Sequence, residues 1–110
     1  MGFVDAVKSA FSNYANFNGR ASRSEYWWFI LFYAIISTVL SMLAGIASIF
    51  SILGLVFLLG IIVPLIALAA RRMHDSDKSG WFQLIPFYNL YLAIIKGTDG
   101  PNRFGDDPVG

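Results

Sequence analysis

The chain has no cysteine, one histidine and few charges: of 110 residues, 8 are Lys or Arg and 7 are Asp or Glu, 14% in all, for a net charge of +1. Without cysteine there is no disulfide framework and no thiolate-ligated zinc module. The lone His74, even with Asp75 and Asp77 beside it, falls short of the three or four good ligands of a zinc site, so no metal is expected. A net charge this near zero gives no support to a nucleic-acid partner. The chain carries no Gly-Lys-Ser/Thr phosphate loop, no nucleophile–base set and no cofactor fingerprint. No catalytic residue and no cofactor are therefore predicted, and the chain is not expected to be an enzyme.

What is plentiful is apolar surface. Hydrophobic residues make up 56% of the chain, and the charged share is well below the quarter or so usual in soluble domains. The charges are also segregated, because none falls between Glu25 and Arg71. As one helix, the 45 residues 26–70 would run about 68 Å, against a hydrocarbon core about 30 Å thick. The run must fold back once, and the segment Gly45-Ile-Ala-Ser-Ile-Phe-Ser51 supplies the helix-end residues for it. Two spans are predicted, 26–44 and 52–70, each close to the length needed to cross a bilayer. A buried hairpin in a soluble protein would need more chain than remains to cover two helices that are apolar all round. A signal peptide does not fit either, since the apolar run starts late, is long and lacks a small-residue cleavage pattern.

The first span opens on Tyr26-Trp27-Trp28-Phe29, an aromatic cluster suited to the headgroup level. In the second span Pro64 cannot donate to the carbonyl of Gly60, which predicts a kink there. A third apolar stretch, 79–95, contains Gln83, Pro86 and Asn89. It is short for a span and is read either as a third crossing or as a re-entrant or interfacial segment. Before the first span, Phe3, Val7, Phe11 and Tyr14 share one helical face, so 2–14 is predicted to be an amphipathic helix on the membrane surface or against the bundle. The expected architecture is all-α and polytopic. One membrane domain over 1–110 holds a helical hairpin, a third short apolar helix, an N-terminal amphipathic helix and a polar tail at 97–110.

Orientation follows from the basic residues. Lys8, Arg20 and Arg23 precede the first span, none lies in the Gly45–Ser51 turn, Arg71, Arg72 and Lys78 follow the second, and Lys96 and Arg103 follow the third stretch. Basic loops stay cytoplasmic, so the N-terminus and the loop 71–79 are expected inside. Within that frame Glu25 faces Arg71 and Arg72 across the hairpin, and an ion pair with one of them is predicted. The cations Arg20, Arg23, Arg71, Arg72 and Lys78 would then ring the inner face and attract anionic lipid headgroups. His74 or Asp75 is expected to cap the helix end or the following turn. The tail, rich in turn residues around Asn102 and Arg103, is expected to fold back with Arg103 aimed at a headgroup phosphate or at Asp75.

Three polar motifs carry a resemblance. They are Phe17-Asn-Gly-Arg-Ala-Ser-Arg-Ser-Glu-Tyr-Trp27, Arg71-Arg-Met-His-Asp-Ser-Asp-Lys-Ser-Gly-Trp81 and Gly97-Thr-Asp-Gly-Pro-Asn-Arg-Phe-Gly-Asp-Asp-Pro108. As an ordered set over roughly residues 11–108 they resemble the small bacterial inner-membrane proteins grouped as domain-of-unknown-function family 805. The resemblance implies a multi-pass protein of the bacterial plasma membrane. It implies no activity, so no functional residue transfers. The function expected is a small scaffold, lipid-contacting or partner-binding subunit, alone, as a homo-oligomer or beside another membrane protein. A transporter or channel component acting as an oligomer is the alternative, although no ionisable residue lies inside a predicted span.

Overall fold

A computed structural model describes residues 2–106 and 108. Asp107 of the third motif and residues 109 and 110 of the tail lie outside the described residues. Four α-helices follow in order: α1 (Phe3–Ser12), α2 (Arg23–Ala44), α3 (Ile49–Asp75) and α4 (Tyr88–Ile94), with a 3₁₀ helix at Gly80–Leu84 before α4. Among the described residues there is no strand, only an isolated bridge between Asn102 and Gly105.

α2 starts where Ser22 caps it, its hydroxyl accepting from the Glu25 amide at 3.3 Å. This is half of a Ser-x-x-Glu capping box. The Glu25 carboxylate does not reach back to complete it, because it is engaged elsewhere. Gly45 ends α2, and α3 begins four residues later. Both helices are long and apolar enough to cross a membrane, and only 6% of the apolar stretch of α2 and 22% of that of α3 is buried within the chain. What is buried is one seam. Phe29, Ile61 and Leu68 meet Ala10 and Ala21, flanked by Tyr26, Phe32, Tyr33, Phe57 and Leu65.

Of the two settings predicted for the first helix, the bundle is the one seen. Ala6 and Ala10 of α1 are fully buried. Phe3 sits edge-on to Trp28 at 5.8 Å, and Phe11 edge-on to Phe29 at 5.5 Å. Just beyond α1, the Tyr14 hydroxyl donates to the Gly60 carbonyl at 2.7 Å. That carbonyl is the one Pro64 leaves without its helical donor. α3 runs helical through Pro64, with a side chain from outside the helix replacing the missing hydrogen bond.

The third stretch, read as a third crossing or as a re-entrant or interfacial segment, is not one continuous helix. After the 3₁₀ helix Gly80–Leu84, Ile85 is extended and Phe87 takes a left-handed φ of 66°, so α4 spans only seven residues. Pro86 is the cause, since it lacks a donor and pushes the residue before it out of the helical region. The segment goes out and comes back. Gly80 lies against Ala70, where an added Cβ would approach the Ala70 Cβ to 2.8 Å. At the other end, the Ala93 and Ile95 carbonyls return to Arg72. Both ends of 79–95 therefore sit at the Arg71–Asp75 end of the bundle, and the tail begins there.

Candidate functional site

All three polar motifs converge at that end of the bundle. α3 does not stop at residue 70 with the apolar run but continues through Arg71, Arg72, Met73, His74 and Asp75, all of them buried. A charged helix end of this kind can be buried only if every charge finds partners, and here nearly all do. Asp75 bridges two arginines. Its Oδ1 accepts from Arg20 Nε at 3.0 Å and its Oδ2 from Arg72 Nη1 at 2.6 Å. Arg20 Nη1 donates to the Gly100 carbonyl at 2.6 Å and the Gly105 carbonyl at 3.3 Å, and its Nη2 donates to the Thr98 carbonyl. Arg72 Nε and Nη1 donate to the carbonyls of Ala93 and Ala21, both at 3.2 Å, and Nη2 donates to that of Ile95. The main chain of Asp75 takes part as well, its carbonyl accepting from the Thr98 amide at 2.7 Å.

Arg71 points to the other side. Of the two partners expected for Glu25, Arg71 is the one present, Nη1 to Oε1 at 3.2 Å, and Ser9 of α1 donates to the same oxygen at 2.8 Å. Arg71 Nε and Nη2 are buried with no hydrogen-bond partner among the described residues. The polar knot therefore ties together α1, the start of α2, the end of α3, the third stretch and the tail.

Several expectations need correcting. The inner-face ring of five cations does not form, because Arg20, Arg71 and Arg72 are 9%, 3% and 0% exposed and turn inward to Glu25 and Asp75. Arg23 is exposed, with Nη1 at 3.5 Å from the Ile94 carbonyl, and Lys78 is half-buried. Arg103 does not reach Asp75. It pairs with Asp77 (Nε to Oδ1 3.2 Å), and its guanidinium lies 4.7 Å over the Phe104 ring. Neither His74 nor Asp75 caps the following turn by its side chain. His74 Nδ1 meets the Gly19 carbonyl at 2.9 Å, and its ring stacks on Phe104 at 3.9 Å with the planes 1° apart. Asn102 holds the tail down, its Nδ2 donating to the His74 carbonyl at 3.0 Å. Its Oδ1 accepts from the Phe104 amide at 2.8 Å.

Sequence reasoning missed Gly97, Trp27 and Ser9. An added Cβ on Gly97 would fall 1.9 Å from Asp75 Oδ2, so only glycine fits there. Trp27, taken for an interface belt residue, donates its indole N–H to the Ala93 carbonyl at 3.0 Å. The signal for Gly97 was its place at the head of the third motif, but its role depends on a contact 22 residues back along the chain.

Chemically the knot is a network of ion pairs and carbonyl acceptors, complete except at Arg71 Nε and Nη2. Among the described residues no group of three or more His, Cys, Asp or Glu could hold a metal ion. A cavity of about 380 Å³ opens beside the knot between Phe17, Ile66, Ala70, His74, Trp81 and Gln83.

The family model described as "Protein of unknown function (DUF805)" matches residues 14–106, a stretch that holds almost the whole knot. The chain is 38% identical over 108 residues to "Inner membrane protein YhaI" of Escherichia coli (strain K12), an alignment covering 91% of this chain and 92% of that protein. It is also 38% identical over 117 residues to "Inner membrane protein YhaH" of the same strain, covering 96% and 97%. No solved structure matches the chain.

Proposed function

The chain belongs to the DUF805 family, and from that premise we propose that it is a multi-pass subunit of the bacterial inner membrane that acts as a small scaffold and binds its partner through its membrane-facing helix surfaces. α2 and α3 cross the bilayer as a hairpin. The knot lies at the cytoplasmic face, and the third stretch enters and leaves on that same side. This orientation places all eight Lys and Arg residues at one end, with none in the turn between α2 and α3, in keeping with the retention of basic segments in the cytoplasm.

The observation that carries the partner-binding reading is the contrast between the two parts of the molecule. The knot pairs most of its charges internally, Glu25 with Arg71 and Asp75 with Arg20 and Arg72. The hairpin beyond it leaves Val39, Met42, Val56 and Leu59 47%, 71%, 60% and 63% exposed. In a bilayer such faces meet acyl chains or another helix, and helix association there relies on close packing. The test is a photo-crosslinking side chain placed at Val56 or Leu59 in native membranes. A discrete protein adduct, to a second copy or to another membrane protein, is expected. Lipid adducts alone, with a monodisperse monomer in mild detergent, would sink the reading. Topology is checked separately by a C-terminal fluorescent reporter, which should mature in the cytoplasm.

A further inference from the structure

The cavity beside His74 plays no part in the reading above, yet it has the make-up of a binding site. His74, Ala70 and Ile66 are spaced four residues apart on α3 and share a face. They run from the level of the knot toward the apolar stretch. Phe17 and Trp81 wall the cavity, and Ile66, at 42% exposed, leaves its deeper end open. His74 itself is 7% exposed. A carbonyl can only accept, so the contact with Gly19 puts the ring proton on Nδ1 and makes Nε2 the acceptor in the neutral ring. Stacking on Phe104 fixes the ring plane. Nε2 then lies beside the cavity wall at Gly80, 3.6 Å from where a Cβ on that glycine would lie, on the side of the ring that lines the cavity. An acceptor that faces a cavity can take a donor from a molecule bound there.

We propose that this cavity binds the hydroxyl-bearing headgroup of an anionic membrane phospholipid, whose hydroxyl donates to His74 Nε2 while the start of its acyl region lies over Ile66. The graded lining, polar at His74 and Gln83 and apolar at Ile66, Phe17 and Trp81, matches the headgroup-to-chain junction of a lipid. The choice of headgroup follows from charge. No carboxylate lines the cavity. An ammonium donor would find no counter-charge among the lining side chains, whereas a neutral hydroxyl needs none. The inference rests on the reading that α3 crosses a bilayer.

The experiment reconstitutes the full chain into vesicles of equal parts phosphatidylglycerol and phosphatidylethanolamine, re-extracts it in mild detergent and counts bound lipid by native mass spectrometry. Retention of phosphatidylglycerol over phosphatidylethanolamine by about tenfold is expected, a gap of about one decade in affinity. His74→Phe keeps the stack on Phe104 but removes the acceptor and should lower that retention about fivefold, the worth of one hydrogen bond. Ile66→Trp, at an exposed position, occludes the deeper end and should lower retention with an unchanged melting temperature, so a folding defect in the His74 variant would not decide the matter. Equal retention of the two lipids, or unchanged retention in Ile66→Trp, would overturn the proposal. Displacement of the lipid by soluble glycerol phosphate would overturn it too, by assigning the site to a free ligand. Failure of the protein to float with the vesicles would instead refute the membrane reading beneath it.

Discussion

Gly97 and Asp75 carry the tightest single-residue constraint in the knot. With a methyl group on Gly97 only 1.9 Å from Asp75 Oδ2 and 2.5 Å from its main-chain oxygen, neither atom can yield without breaking a bond to Arg20, Arg72 or Thr98. Gly97→Ala is expected to destabilise the protein by about 1–3 kcal/mol, the scale of overpacking in a close-packed interior. Its apparent melting temperature in detergent should fall accordingly. Asp75→Asn should be worse. It removes the carboxylate shared by two buried guanidiniums, and leaving buried charge uncompensated costs about 3–5 kcal/mol. The matched control is Asp77→Asn, which breaks a pair whose side chains are 61% and 47% exposed. A solvent-exposed pair of that kind contributes under about 1 kcal/mol, so the melting temperature should barely move. Equal losses for the two variants would mean that the knot does not organise the fold. At this scale the sequence was partly legible. The density of charge around residues 71–78 marks the region, but the partner of each charge depends on which segments fold back onto it. That is why Arg103 looked like the partner of Asp75 and Arg20 did not.

The helices were easier to read than their joints. Absence of charge over 26–70 required a hairpin, and the observed α2 and α3 contain the predicted spans 26–44 and 52–70. The predicted span stops at residue 70 with the apolar run, whereas the helix itself runs on to Asp75. A helix continues past that point when its charged last turns find partners, as Arg71, Arg72 and Asp75 do here. Pro64 and Pro86 look alike in sequence and differ in outcome for a physical reason. Pro64 sits deep in a long helix whose freed carbonyl is bonded by Tyr14, whereas Pro86 sits in a short stretch with no such rescue and breaks it. The rescue can be measured by a double-mutant cycle. Tyr14→Phe alone should cost about 1 kcal/mol, the net worth of one hydrogen bond. In a Pro64→Ala background residue 64 regains an amide that can bond Gly60, so Tyr14→Phe should then cost much less. Additive losses in the cycle would show that the Tyr14 hydroxyl does not serve the proline-freed carbonyl.

Over the whole molecule, 49 Å in its longest dimension, the knot gathers at one end segments far apart in sequence. The third stretch and the tail have little apolar packing of their own. Trp81, Leu84 and Phe87 are 79%, 70% and 87% exposed, and 97–106 is held mainly through Arg20, Asn102 and the main chain of Asp75. Arg20 is therefore the bolt of the tail. It reaches Asp75 across 55 positions of sequence and Gly105 across 85, contacts that no periodicity or local motif encodes. Neutralising it should release the tail and leave the hairpin intact, because the seam of Phe29, Ile61 and Leu68 does not involve Arg20. In inside-out membrane vesicles, Arg20→Gln should make the segment after Lys96 rapidly cleavable by added protease while the helical circular-dichroism signal stays near that of the parent. A tail equally resistant in both proteins would place its anchorage elsewhere. A tail cleavable only in right-side-out vesicles would put the knot on the opposite face of the membrane, and with it the scaffold reading's cytoplasmic end.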